Sequence, residues 1–242
     1  MKGMRLSIPL ALGFIPIGCS FAVMAMQAGL SAAETILDLC RRRLPENMGI
    51  PADQIQVLSP TRRRGTGTGV LNQALQAALN PPDENKGERR FGDWIFRAGD
   101  RVMQVKNKYD LFWENPETGE KDLGVFNGDI GVITEVTAGG ITVSFDGRQV
   151  SYLPELLGEL EPAWAVTVHK SQGSEYRAVI LALSDVPPTL LARGVLYTAI
   201  TRARELFIVV GSEELIAQMV ANDRQTRRYS ALRTRLMMEA EG

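Results

Sequence analysis

The sequence predicts an α/β protein: a lobe of alternating strands and helices, interrupted by a small β-barrel and preceded by an apolar helix. Three features carry that expectation. Strand-like and helix-like segments alternate in the first and last parts of residues 34–242, short strands separated by tight turns crowd the middle, and residues 6–33 contain no charged side chain.

A chain of 242 residues has room for one large domain or two small ones. The net charge of −1 gives no global signature of nucleic-acid binding. The basic residues are nevertheless clustered, at 41–43, at 62–64 and as five arginines between Arg224 and Arg235. Taken alone, each run fits a solvated face as well as it fits a ligand. Two cysteines, Cys19 and Cys40, and one histidine, His169, form no pattern that holds zinc, and no metal site is expected. So few cysteines fit a reducing compartment.

The uncharged run is long enough to span a bilayer as a helix, which takes about 20 residues. Lys2 and Arg5 precede it and Glu34 follows it. A signal peptide and a buried helix are the competing readings. The wording from Pro9 to Gly18 and on to Ser31 resembles the first membrane segment of the AzlC-type branched-chain amino-acid permease family. That resemblance covers about 30 residues, and no second long apolar run continues it. Residues 1–33 are therefore expected to be a membrane-like leader foreign to the rest.

Next come the elements in order. Ser31 and Glu34 have the spacing of a capping box, and Ile36, Leu37, Cys40 and Leu44 then share a helical face that Pro45 should end. Ile55–Leu58 reads as a strand stopping at Ser59-Pro60. Val70, Leu71, Ala74, Leu75, Ala78 and Leu79 make a second helix face, closed by Asn80-Pro81-Pro82. Residues 83–92 are polar and expected to be irregular. Residues 101–105, 129–137, 141–145 and 150–153 read as strands, with Gly139-Gly140 and Asp146-Gly147 as hairpin turns. Beyond them, residues 163–168 and 178–183 read as strands, Leu190–Arg204 as a helix, Leu206–Gly211 as a buried strand, and Ser212 as the cap of a last helix. The expected units are 1–33, a lobe built from 34–95 and 160–242, and an insert at 96–159.

Three segments suggest chemistry. Arg62 and Arg63 follow a strand end, where loops of α/β sheets meet ligands, and phosphate of DNA or of a nucleotide would suit them equally. Residues 167–175, Thr-Val-His-Lys-Ser-Gln-Gly-Ser-Glu, offer backbone N–H groups and small hydroxyls in a turn, as phosphate sites do. Thr198 and Arg202 are four apart on the expected helix, from which a guanidinium can reach a neighbouring lobe. In the insert, Lys106, Lys108, Tyr109, Phe126 and Asn127 would suit a strand-binding surface, or Tyr109 and Phe126 simply pack the barrel.

These segments occur in a recognisable sequence. Residues 58–76 resemble helicase motif IV. Gly99–Gln104, Asn107–Asp110 and Val125–Gly131 resemble an inserted SH3-like barrel. Residues 167–175 resemble motif V, and Tyr197–Ala203, Tyr-Thr-Ala-Ile-Thr-Arg-Ala, resembles motif VI. Together they resemble, over about 200 residues, the C-terminal half of the RecD-like superfamily 1 DNA helicases, the exodeoxyribonuclease V alpha subunit family. The resemblance implies a RecA-like second motor lobe with an SH3-like insert. It implies ATP with Mg²⁺ as cofactor, and Gln172, Gly173, Glu175, Thr198 and Arg202 at the nucleotide. It makes Arg202 the catalytic arginine finger, and places Arg62, Arg63, Asn127, Thr167, His169 and Ser171 on single-stranded DNA. It further implies 5′→3′ movement and two kinds of partner: a first helicase lobe in cis or in trans, and other exodeoxyribonuclease V subunits.

No GxxxxGK[ST] loop occurs in these residues, because Gly65-Thr66-Gly67-Thr68-Gly69 has no lysine. Asp83-Glu84 follows Asn80-Pro81-Pro82 and not an apolar strand, so it does not read as the acidic motif that holds Mg²⁺. The nucleotide would then be held mainly by the first lobe, and this chain alone is expected to hydrolyse no ATP. The alternative is a non-catalytic module that binds single-stranded DNA. The expected compartment is the cytoplasm, with residues 6–33 as a tether if they meet a membrane.

Overall fold

The computed structural model describes residues 20–24 and 31–223. Strand β1 (Ser20–Met24) comes first, then helix α1 (Ala32–Asp38), which runs through a π-helical turn at Leu39–Arg43 into α2 (Leu44–Met48). Strand β2 (Ile55–Ser59) and helix α3 (Thr68–Leu79) follow. The insert contributes β3 (Glu88–Phe91), β4 (Trp94–Arg97), β5 (Arg101–Gln104), β6 (Lys108–Glu114), β7 (Lys121–Val125), β8 (Ile130–Thr137), β9 (Gly140–Phe145), β10 (Arg148–Tyr152) and β11 (Leu160–Pro162). The chain closes the lobe with β12 (Ala165–Thr167), β13 (Tyr176–Leu183), α4 (Arg193–Ile200), β14 (Ala203–Gly211) and α5 (Glu213–Ala221).

The lobe is a five-stranded parallel sheet in the order β1-β14-β13-β2-β12. A parallel sheet is covered on both faces, which is why β13 and β14 are nearly continuous apolar runs. Successive side chains point to opposite faces. Ile180 and Ile208 join Ile36, Leu71 and Leu75 of α1 and α3 on one side. Val179, Leu181, Phe207 and Val209 join Leu196, Ile200, Ile216 and Met219 of α4 and α5 on the other.

The insert is a seven-stranded antiparallel sheet, β11-β5-β8-β9-β10-β6-β7, with the β3–β4 hairpin beside it. It has its own core, including Phe96, Trp113, Phe145 and Tyr152. Among the described residues, no ladder joins β11 to β7 to close a ring. The β9–β10 hairpin turns on Asp146-Gly147, both at positive φ, as the tight turn requires.

Several expectations need correction. Residues 20–24 are an edge strand pairing in parallel with β14, not part of an apolar helix, and Ala22 packs against the lobe core. Residues 1–19 and 25–30, the rest of that run, lie outside the described residues. Among the described residues no helix is long and apolar enough to cross a membrane. Pro45 does not stop the first helix. The π turn before it shifts the bonding by one residue, so Leu44 N donates to Leu39 O and the ring enters at the start of α2, where no N–H is needed. The stop is Gly49, left-handed at φ 60°.

Residues 88–91, expected to be irregular, pair with β4. The expected helix 190–204 is shorter, because Ala203 already enters β14 in the middle of the sheet. The β8–β9 turn lies one residue earlier than Gly139-Gly140. Gly140 pairs with Thr137, and a Cβ on it would lie 2.1 Å from Tyr152 O.

Lobe and insert are joined by a buried polar seam. Asn72, Gln76 and Asn80 are four apart, hence on one face of α3 and its cap. The Asn72 amide donates to Ala165 O (2.8 Å) and accepts from Ala165 N (2.8 Å). The Gln76 amide donates to Ile95 O (2.6 Å) and to Asp100 Oδ2 (2.5 Å). The Asn80 amide donates to Asp100 Oδ1 (2.7 Å), and Arg97 N donates to Asp100 Oδ2 (2.8 Å). Burial holds the Asp100 carboxyl above the usual carboxylate range, against the pull of these donors. Next to it, the buried Arg101 guanidinium donates to Ile55 O (2.9 Å) and Gln56 Oε1 (2.8 Å). The Gln56 amide in turn reaches Ala163 O and Trp164 O, both at 3.3 Å.

Asp100→Ala is expected to destabilise the chain by at least about 3 kcal/mol, since it leaves three buried donors without their acceptor. Asn72→Ala should cost about 1–3 kcal/mol by stranding the Ala165 backbone. Urea denaturation followed by circular dichroism measures both, and an unchanged midpoint for Asp100→Ala would show that the seam carries little.

A candidate nucleic-acid cleft and nucleotide half-site

The seam creates a cleft of about 730 Å³ where the C-terminal ends of β2 and β12 meet the insert. From the lobe come Arg62, Arg63, Thr167 and Lys170. From the insert and the strand that leaves it come Arg90, Asp93, Trp94, Met103 and Glu161. Four cations and an indole thus share a groove with two carboxylates. Basic and aromatic side chains in one groove are what a single nucleic-acid strand needs, the cations for phosphates and the ring for a base.

The loop presenting Arg62 and Arg63 is tightly built. Thr61 Oγ1 donates to Arg63 O, Gly67 N donates to Arg64 O (2.8 Å) and Gly69 N donates to Arg62 O (3.2 Å). Arg64 sits at φ 73°, and a Cβ on Gly67 would lie 2.6 Å from Arg63 O. Thr66 Oγ1 fastens the loop to Ser184 O at the end of β13 (2.6 Å). Both arginines remain exposed. Arg62 has one carboxylate near it, Glu161 at 3.9 Å.

Of the residues expected on DNA, Arg62, Arg63 and Thr167 line the cleft. Thr167 also caps the following 3-10 turn, its hydroxyl accepting from Lys170 N. His169 is exposed on that turn and does not line the cleft. Ser171 is buried, its hydroxyl donating to Val168 O (2.8 Å), so it holds the turn instead of facing the groove. Asn127 is exposed on the β7–β8 turn of the insert, outside the cleft, where its N–H donates to Asn107 Oδ1. Beside it, exposed Tyr109 and Phe126 meet edge to face at 5.6 Å. Neither ring belongs to the insert's buried core.

Residues 168–175 run down the lobe from the cleft to the opposite end of the sheet. Thr167 pairs with Ser59, past the C-terminal end of the β2–β13 ladder, whereas Tyr176 pairs with Ala203 where β14 begins. Six residues of β13 separate those levels, about 20 Å at roughly 3.3 Å per residue.

At the lower end Gln172 and Gly173 are exposed, with Gly173 left-handed at φ 89°. Arg202 ties this turn to α4. Its Nη1 donates to Ser174 O (3.0 Å), its Nε to Thr198 O (3.3 Å) and its Nη2 to Thr201 Oγ1 (3.1 Å). A guanidinium has five N–H donors, so these bonds leave one on each terminal nitrogen for an anion. Arg202 lies just beyond α4, its own N–H donating to Ala199 O. The Thr198 hydroxyl donates back to Gly194 O (2.8 Å), so the carbonyl of Thr198, and not its side chain, meets Arg202. Glu175 pairs with Arg204 (3.0 Å) on the rim of a smaller pocket of about 380 Å³ that also holds Tyr176 and Arg177. Burial raises the Tyr176 phenol, and Ser174, followed by the guanidinium groups of Arg101 and Arg202, pulls it back.

Arg90, Asp93, Trp94, Glu161 and the side chain of Lys170 join the cleft without having been singled out from the sequence. The two-residue turn Gly92-Asp93 between Glu88–Phe91 and Trp94–Arg97 is the signal a hairpin reading would have used.

Comparison with known proteins identifies the family. The family model described as the ATP-dependent RecD-like DNA helicase SH3 domain matches residues 71–145, and that of the UvrD-like helicase C-terminal domain matches 162–210. The ATP-dependent RecD2 DNA helicase of Deinococcus radiodurans is 35% identical over 178 residues, 74% of this chain and 23% of that protein. The RecBCD enzyme subunit RecD of Mycobacterium tuberculosis is 32% identical over 185 residues, 76% of this chain and 29% of that protein. The chain thus spans less than a third of the length of these relatives. A solved Pif1 helicase from Bacteroides, in complex with ADP-AlF3 and ssDNA, aligns over 88% of this chain and 51% of that one, with 19% identity and a TM-score of 0.45. The SH3-domain match begins at Leu71 on α3, the helix whose amides hold the insert. With both domain matches in order on either side of the cleft, the chain belongs to the RecD-like superfamily 1 DNA helicases and carries their C-terminal region.

Proposed function

We propose that this chain is the C-terminal motor lobe of an ATP-dependent 5′→3′ DNA helicase of the RecD-like type, working on single-stranded DNA in the cytoplasm. The observation that carries the proposal is the path of residues 167–175. One end lines the basic cleft, and the other is bonded through Ser174 O to Arg202. A segment touching both places can make strand grip depend on nucleotide state, which a stepping motor requires.

In this reading the first lobe, in cis or in trans, holds ATP and Mg²⁺. Arg202 would approach the γ-phosphate with its two remaining N–H groups and stabilise charge there as the phosphoryl group transfers. Its three internal bonds pre-position the guanidinium, so little side-chain freedom is lost when the lobes close. Gln172, the Gly173 backbone, Thr198 and Glu175 would complete the nucleotide edge. Glu175 must leave Arg204 to accept from a ribose, an exposed exchange of small cost. Arg62, Arg63 and Thr167 would hold strand phosphates. His169 would reach the strand from its exposed turn, and Asn127 from the insert. Ser171 would serve by fixing the turn. Other exodeoxyribonuclease V subunits are the natural further partners.

Mixing the chain with a separately made first lobe of a RecD-like helicase should give strand-stimulated ATP hydrolysis that neither piece has alone. Arg202→Ala should lower kcat by about 10³-fold, and Arg202→Lys should not restore it. Hydrolysis unchanged by Arg202→Ala removes the finger assignment. A mixture whose strand affinity ignores ATP would indicate a passive binding module. In single-strand binding, Arg62→Ala with Arg63→Ala should weaken affinity and flatten the slope of log K against log salt by about 0.7 for each phosphate no longer neutralised. An unaltered slope would move the strand elsewhere.

A further inference from the structure

Of the two carboxylates in the cleft, Asp93 and Glu161, the second sits between two cations. Glu161 projects from β11, and its two carboxylate oxygens face two different cations. Oε2 lies 2.7 Å from Lys170 Nζ, and Oε1 lies 3.9 Å from Arg62 Nη2. A carboxylate bridging two cations in this way occupies the position that the two non-bridging oxygens of a backbone phosphate would take. The fold does not need that arrangement. The backbone of Glu161 is fixed by pairing with Met103, and the lobe is joined to the insert through Gln76 and Asn80, which both donate to Asp100.

Resting on the reading of this cleft as a single-strand track, we propose that Glu161 is a tethered competitor for backbone phosphate. Strand entry exchanges its carboxylate for phosphate on Lys170 and Arg62, and strand release restores it. The pair is partly exposed, with Lys170 at 22% and Glu161 at 41%, so the exchange is shallow in energy and reversible. Because Glu161 is anchored in the insert and Lys170 lies in the 167–175 segment, the exchange also breaks and remakes a link between insert and lobe. The consequence is a weaker grip than the cleft's cations would otherwise give, which lets a motor let go at each step.

The test is anisotropy of a labelled oligothymidine of about 20 nucleotides with the full chain, between about 50 and 200 mM salt. Each further phosphate neutralised steepens the salt slope by about 0.7, worth about fivefold in affinity near 0.1 M salt. Glu161→Gln keeps the shape and removes the charge. It should bind about fivefold more tightly with the steeper slope, and Glu161→Ala should do the same. Adding Lys170→Met to Glu161→Gln should abolish most of the gain. If the wild-type chain binds and loses affinity on Arg62→Ala, yet both Glu161 variants bind no more tightly than wild type, the competitor role is wrong and the track stands. If neither the wild-type chain nor the Glu161 variants bind the strand, the track is wrong and Glu161 falls with it. Thermal melts that match the wild type confirm that the variants are folded.

Discussion

The hydrogen bonds that α3 makes to Asp100 and to the Ala165 backbone decide the shape of everything around them. A β-sheet module inserted into an α/β lobe has two chain crossings and would otherwise be free to swing. Here buried polar groups concentrate where the two meet: Arg97, Asp100 and Arg101 from the insert, Gln56 and Asn72 from the lobe. Apolar contacts alone slide with little directional preference. Buried hydrogen bonds do not, since each misplacement leaves a donor or acceptor unpaired in a dry environment. The seam therefore contributes orientation more than adhesion, and the cleft exists because that orientation is held.

The lobe's parallel sheet then separates two tasks. Its C-terminal ends, with the loop fastened by Thr66 and Gly67, face the cleft. Its opposite end gathers Ser174, Thr198 and Arg202. Between them runs a single segment of the chain, fixed by Thr167 and Ser171 at one end and by Arg202 at the other. Tyr176 follows directly and lies within the electrostatic reach of both Arg101 and Arg202.

Much of this was legible in the sequence, for reasons that differ by element. The apolar runs of β13 and β14 and the capping box at Ser31 are local signals, and all three formed as expected. The fastening role of α3 was written as three amides at four-residue spacing, a pattern easily passed over beside the apolar residues of the same helix. Pro45 misled because a π turn lets a helix accept a proline that ordinary bonding would reject. The β3–β4 hairpin hid behind its polarity, since β3 is mostly exposed. Arg62, Arg63 and Thr167, expected on DNA, line the cleft. Ser171 does not, because a small hydroxyl in a tight turn finds the backbone before it finds a ligand. Lys170 and Glu161 are nine residues apart on different elements, and no spacing rule brings them together.

The central claim is that lobe and insert form one body through the α3 seam, and native-state hydrogen exchange in rising urea tests it most directly. Amides of β8 and β9 in the insert and of β2 and β13 in the lobe would be followed together. The account predicts that both sets converge on a single opening free energy with a common urea dependence. Earlier opening of β8 and β9, while β2 and β13 remain protected, would contradict it and would make the cleft a transient meeting of two independent parts.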